Sequence, residues 1–125
     1  MSPDLKRLCR SAGLKLDGDQ IFVEFDSGRG QRVSVEEADD ESLMVRSVVA
    51  KPRALREVED VALRAWVCNR GTRLVGFQLD RRGRLMGHAW VPRQGLTPEE
   101  FALYVRVVAR ECDRLEYLLT GRDVE

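Results

Sequence analysis

Residues 95–121 read GLTPEEFALYVRVVARECDRLEYLLTG, and the way this stretch starts and stops decides the fold. Thr97 is placed to cap the first free backbone N–H groups, Pro98 suits the first helical position, and Glu100 can reach back to complete a capping box. Leu96 and Phe101 flank the box as a hydrophobic staple. From there Phe101, Tyr104, Val105, Val108, Cys112, Leu115 and Leu119 recur at spacings of three and four, a single apolar stripe that ends at Gly121. The spacing predicts a long helix with one buried face, so the rest of the chain has to supply a surface for it.

Upstream, that surface reads as strands. RLVGFQLD (73–80) alternates Val75, Phe77 and Leu79, and RLMGHAWVP (84–92) alternates Leu85, Gly87, Ala89 and Val91 against Met86, His88 and Trp90. RRG joins the two and Pro92 closes the second. Before them, ALREVEDVALRAWVCN (54–69) places Leu55, Val58, Ala62, Ala65 and Trp66 at helical spacing, with Gly71 as a stop, and predicts one central helix. Earlier still, QIFVEFD (20–26), QRVSVEE (31–37) and SLMVRSVVA (42–50) predict a three-stranded antiparallel meander. Leu43, Val45 and Ser47 share one face of its last strand, and Met44, Arg46 and Val48 the other. Ser2-Pro3-Asp4 starts a short first helix carrying Leu5, Leu8, Cys9 and Ala12, which Gly13 stops. The expected class is α+β in a single domain over residues 1–125: helix, three strands, helix, two strands, helix.

This order of elements, closed by the terminal helix quoted above, resembles the bacterial YbjN family from about Leu14 to Gly121, a family similar in fold to type III secretion chaperones. The resemblance implies an antiparallel sheet packed by helices, a homodimer, and a role in binding another bacterial protein. It carries over no catalytic residues and no cofactor.

Composition narrows the field further. Hydrophobic residues make up 43% and charged residues 34% of the 125, enough apolar material for one core under a charged surface. Lys plus Arg and Asp plus Glu are 21 each, so no overall charge draws the chain to nucleic acid or to an anionic membrane. No apolar run approaches the length of a membrane span, and MSPDLKRLCRSAG lacks the apolar core of a signal peptide, so a cytoplasmic location is expected. Cys9, Cys68 and Cys112 are odd in number and far apart, which points to reduced, mostly buried thiols.

Chemistry-bearing candidates are few. His88 is the only histidine, so any histidine-based site has to be built on it alone, and a small enzyme or ligand pocket centred there is the weakest of three readings. Asp17 and Asp19 lack the later ligands of a calcium loop and read as a turn, and Gly28-Arg29-Gly30 reads as a hairpin loop. Glu36, Glu37, Asp39, Asp40 and Glu41 cluster at one turn, and Arg81, Arg82 and Arg84 at another, with Arg70, Arg73 and Arg93 near the latter in sequence. These clusters are either solvated hairpin ends or a docking surface; the arginines could meet an acidic protein segment or the phosphates of nucleic acid, the second reading. Phe22, Met44, Trp66, Met86 and Trp90 fall largely on the face opposite the expected core. If helices cover both sheet faces they are core; if helices cover one, they form an apolar surface that binds a partner. The first reading is therefore a homodimeric adaptor with Met44, Met86 and Trp90 as contact residues and Arg81, Arg82 and Arg84 at the rim.

Overall fold

The terminal helix begins where its capping residues place it. The structure, a computed structural model, describes residues 1–39 and 41–121, and in it α4 runs from Pro98 to Thr120. The Thr97 hydroxyl accepts the Glu100 N–H at 3.1 Å and donates to the Glu100 carboxylate at 3.0 Å. Glu100 thus closes the box on the hydroxyl, not on the backbone N–H of Thr97. Gly121, in the left-handed region at φ 64°, donates its N–H to the Tyr117 carbonyl and ends the helix. Phe101, Val105, Val108, Ala109 and Cys112 are fully buried and Leu115 and Leu119 nearly so, each worth about 1.5–3 kcal/mol for the larger side chains.

Ahead of α4 come α1 (Pro3–Ser11), β1 (Lys15–Asp17), β2 (Gln20–Glu24), β3 (Gly30–Glu37), β4 (Ser42–Ala50), α2 (Pro52–Leu55), α3 (Val61–Gly71), β5 (Gly76–Leu79) and β6 (Leu85–Pro92). The strands form one antiparallel sheet in the order β1-β2-β3-β4-β6-β5. Because β6 returns between β4 and β5, the pair read from RLVGFQLD and RLMGHAWVP continues the meander's sheet, with β5 at its edge. Helix α4 lies along β3, β4 and β6, and α1 tucks Leu5 and Cys9 beside it. The face it covers is Val33, Val35, Leu43, Val45, Val49, Leu85, Ala89 and Val91, all buried. Gly87 sits under the helix: a Cβ there would lie 2.3 Å from the Cys112 Sγ and 3.1 Å from the Phe77 ring. Only a residue without a side chain lets α4 and β5 both approach β6 at that point.

Three local features depart from expectation. The meander gains a fourth strand, because Asp17-Gly18-Asp19 makes a tight turn, Gly18 at φ 64°, that folds Lys15–Asp17 back on β2. Three mostly exposed residues carry too little alternation to announce a strand. The central helix is split in two. Pro52 starts α2, which lasts four residues, and Asp60 adopts φ 53°, a left-handed conformation that a helix interior excludes but an Asp tolerates. The break lets Leu55 and Val58 rest against the core while α3 leaves at its own angle, burying only Ala65. Leu79, expected inward, is 43% exposed at the end of the edge strand.

The ladder between β3 and β4 also stops early. Residues 34–37 of β3 pair with β4, whereas residues 30–33 pair only with β2. A bulge at Val49 turns the end of β4 toward α2. Where the two strands part, Gln31 Nε2 donates to Ser47 Oγ at 2.7 Å and to the Val48 carbonyl at 2.6 Å, and Ser47 Oγ donates to the Arg32 carbonyl at 2.6 Å. Two side chains replace the missing backbone bonds, which accounts for the one buried polar residue of the sheet, Ser47.

Gly87→Ala is expected to destabilise the protein by about 1–3 kcal/mol, the usual cost of overpacking. Adding Cys112→Ala should recover part of that loss. Urea unfolding of the single and double variants checks both, and an unchanged midpoint for Gly87→Ala would contradict the packing described.

Candidate functional site

The sheet face turned away from α4 carries three cross-strand rows. Met44 stands opposite Trp90, Arg46 opposite His88, and Val48 opposite Met86, near enough in each case for the side chains to touch. Among the described residues no long helix covers this face, and the four-residue α2 passes near one end. Trp90 is 57% exposed and Met44 half-buried, whereas Met86 is 8% exposed. Of the three expected contact residues, Met44 and Trp90 are neighbours on the open face. Met86 lies two rows away and lines a groove between the sheet and α2. Phe22, also on that groove, packs its ring over Gly30 and under the cationic ends of Lys15 and Arg32, 5.9 and 5.4 Å from its centroid.

Trp66 lies elsewhere. It projects from α3 at 56% exposure beside Leu63 and Val67, both at 55%, with the Arg70 guanidinium 5.3 Å from its ring centroid. This helix also shields the sheet edge: the Asn69 side chain accepts the Phe77 N–H at 2.6 Å and donates to the Phe77 carbonyl at 3.0 Å. One amide thereby satisfies both outward backbone groups of Phe77 in β5, as a further strand would. The apolar spacing of residues 54–69 does not mark this role: Asn69 falls where the stripe of Ala62, Ala65 and Trp66 would continue, but as a polar residue.

Charge is segregated along the strands. The arginine turn at 81–84 lies beside α2, with Gly83 close to Pro52, while the acidic turn lies at the other end of β6, about 25 Å away at the rise of a strand. Arg93, near the basic turn in sequence, sits at the acidic end, 3.7 Å from Glu37 and donating its N–H to the Glu41 carbonyl. Asp40 of the acidic cluster lies outside the described residues. Within the basic turn, Asp80 accepts the N–H groups of Arg82 and Arg84 at 2.9 Å and the Arg84 Nε at 2.7 Å. Desolvation pushes the Asp80 carboxyl up, but these Arg84 and Arg82 contacts outweigh it and hold it below the usual range. Arg84 is thus tied down within the turn, and Arg81 and Arg82 remain exposed. Neither aromatic residue expected near them offers a platform: Phe77 is buried toward the core, and Trp90 is at the far end of β6.

His88 is half-buried on the open face, its Nδ1 buried with no hydrogen-bond partner among the described residues and its Nε2 against Gly76. Burial lowers its pKa and the neighbouring Arg46 lowers it further, so the ring is neutral near pH 7. Among the described residues no carboxylate hydrogen-bonds the buried Nδ1, the contact that would orient the ring as a base. Burial pushes the Cys112 thiol up to about 12, and Cys9 is raised as well, which leaves both as protonated packing groups. Among the described residues no cluster of His, Cys, Asp and Glu could hold a metal ion, and no helix is long and apolar enough to cross a membrane.

Comparison with known proteins agrees with this architecture. Residues 4–117 match the YbjN family profile, described as "Putative bacterial sensory transduction regulator". Among solved structures, a chain of the ExsC–ExsE complex aligns over 95% of this chain and 96% of its own length, with a TM-score of 0.64 and 22% identity. YbjN from E. coli aligns over 94% of this chain and 87% of its own, at TM-score 0.60 and 17% identity. A chain of the HopA1–SchA chaperone–effector complex aligns over 94% and 91%, at TM-score 0.52 and 16% identity. At these identities the likeness is one of fold, and it is the α+β, chaperone-like fold expected from the order of elements. No curated protein sequence matches the chain.

The lowered pKa of His88 has a defined consequence for stability. Folding favours the neutral ring, so its contribution is complete above the unfolded-state value of 6.5 and is lost as the pH falls below it. Thermal melts should therefore show the wild type losing more stability than His88→Gln between about pH 7.5 and about pH 5. Parallel losses in the two proteins would contradict the assignment.

Proposed function

This chain belongs to the YbjN family, and we propose that it is a non-enzymatic, cytoplasmic adaptor of chaperone-like build that works as a homodimer and holds a segment of another bacterial protein. The observation that carries this reading is the one-sided cover of the sheet. Helix α4 buries the central strands on one face, whereas the other face leaves Trp90 more than half exposed beside Met44, an apolar surface that no long helix among the described residues covers. Such exposed aromatic and thioether side chains are the usual anchors of protein interfaces. Function here is selective burial, with no bond made or broken.

Two surfaces suit two partners. The α3 side chains Leu63, Trp66 and Val67 project from a helix whose own packing buries little, and they are the better candidates for the second copy, since a stable dimer has to cover on the order of 800 Å² per subunit. The open face with Met44 and Trp90 is then left for the other protein. The complexes to which this fold is similar, ExsC–ExsE and HopA1–SchA, are assemblies of two different proteins, which supports the same division.

Light scattering on the eluting protein at micromolar concentration should give a dimer mass for the wild type and a monomer for Trp66→Arg. Affinity capture from the native host, read by mass spectrometry, should recover a specific protein with the wild type and lose it with Met44→Lys combined with Trp90→Lys. A monomeric wild type removes the dimer; partner recovery that ignores the Met44 and Trp90 changes removes the open face as its site.

A further inference from the structure

We propose that the groove between the sheet and α2 binds an extended, acidic segment of a partner protein, one in which carboxylates alternate with apolar side chains. The groove opens where β3 and β4 part and has a volume of about 1660 Å³. Val48, Val58, Met86, Leu119 and Phe22 give its lining an apolar part, beside polar residues such as Gln31 and Ser47. Its rim is cationic: Arg32, Arg46, Lys51, Arg53, Arg56 and Arg84 line it, against Glu57 and Glu116. On a chain with equal numbers of acidic and basic residues, this is a local concentration of positive charge. Arg32, Arg46 and Arg84 are paired with Asp17, Glu36 and Asp80. Lys51, Arg53 and Arg56 are exposed and make no ion pair with any described residue, so they are the cations left for a ligand. The arginine turn continues the same positive surface past Gly83, which adjoins Pro52.

The ligand's chemistry follows from what lines the groove. Apolar lining and cationic rim together ask for side chains of both kinds on one chain, and an extended segment alternates them naturally. A nucleic-acid strand fits less well. Its bases would find no free stacking platform because the Phe22 ring is occupied by Gly30, Lys15 and Arg32, and it has no aliphatic side chains to set against Val48, Val58, Met86 and Leu119. Electrostatics at a rim of this kind mainly sets selectivity and association rate, so sign selectivity is the property to measure.

The proposal rests on the partner-binding reading above but places a second contact away from Met44 and Trp90, so the two can fail separately. The test is fluorescence anisotropy with a labelled peptide of about twelve residues alternating Glu with Leu and Val, long enough to cross the groove when extended. Expected is saturable binding that weakens as salt rises from about 50 to about 300 mM, at least about tenfold weaker binding to Arg53→Glu/Arg56→Glu, and an intermediate loss with Arg53→Gln/Arg56→Gln. The charge-matched control Arg106→Glu/Arg110→Glu, on the exposed side of α4, should leave binding within about twofold. A peptide with Lys in place of Glu, or with Gly and Ser in place of Leu and Val, should bind at least about tenfold more weakly. Equal binding of the Lys peptide, tighter binding of a single-stranded oligonucleotide of similar length, or indifference to both Arg53/Arg56 variants would overturn the proposal. Any of these results with Met44- and Trp90-dependent capture intact would leave the adaptor reading standing.

Discussion

Close approach of α4 to β6 is the constraint on which the structure depends. The helix can bury its stripe only if the sheet beneath carries no side chain at the crossing point, and Gly87 under the Cys112 Sγ supplies that gap. Once α4 occupies this face, the alternation of each strand fixes the other: every residue between two core positions on β4 and β6 has to point away from the helix. Met44, Arg46, Val48, His88 and Trp90 are therefore not a site assembled by convergence of loops. They are what remains when one long helix covers one side of a sheet and no second long helix among the described residues covers the other.

Much of this was legible in the sequence because the signals were local and agreed with one another. Thr97, Pro98, Glu100 and Gly121 bound α4 at both ends, and the apolar spacing between them gave its buried face. The alternation of residues 42–50 and 84–92 named both faces of the two central strands, whereas their pairing, and with it the opposition of Met44 to Trp90, follows from the fold. What escaped was tertiary. The left-handed Asp60 splits a run with good helical spacing, because docking Leu55 and Val58 outweighs continuity of the helix. Met86 has the same local pattern as Trp90, but it is buried at the end of the face where the chain around α2 passes. Asn69 carried no signal, since its role is defined by Phe77, a neighbour brought there by the turn between α3 and β5.

The same holds for charge. Acidic and basic turns were visible as clusters, but their placement at opposite ends of the sheet follows from the antiparallel path of β4 and β6, and it moves Arg93 from the basic group to the acidic one. The basic end then gains Lys51, Arg53 and Arg56 from α2, cations that belong to no cluster in the sequence around residues 81–84. Apolar lining, cationic rim and a sheet seam closed by Gln31 and Ser47 meet at one place because β3 serves two partners, β2 with its first half and β4 with its second.

Central to this account is that one apolar face of the chain is reserved for its own copy and another for a different protein. Trp66 and Trp90 are almost equally exposed on a single chain, at 56% and 57%, which makes them internal references for each other. Hydroxyl-radical footprinting of the purified protein, read residue by residue by mass spectrometry, separates them. The account predicts that Trp66 is protected and Trp90 is oxidised freely; protection of Trp90 in the purified protein, with Trp66 open, would contradict it.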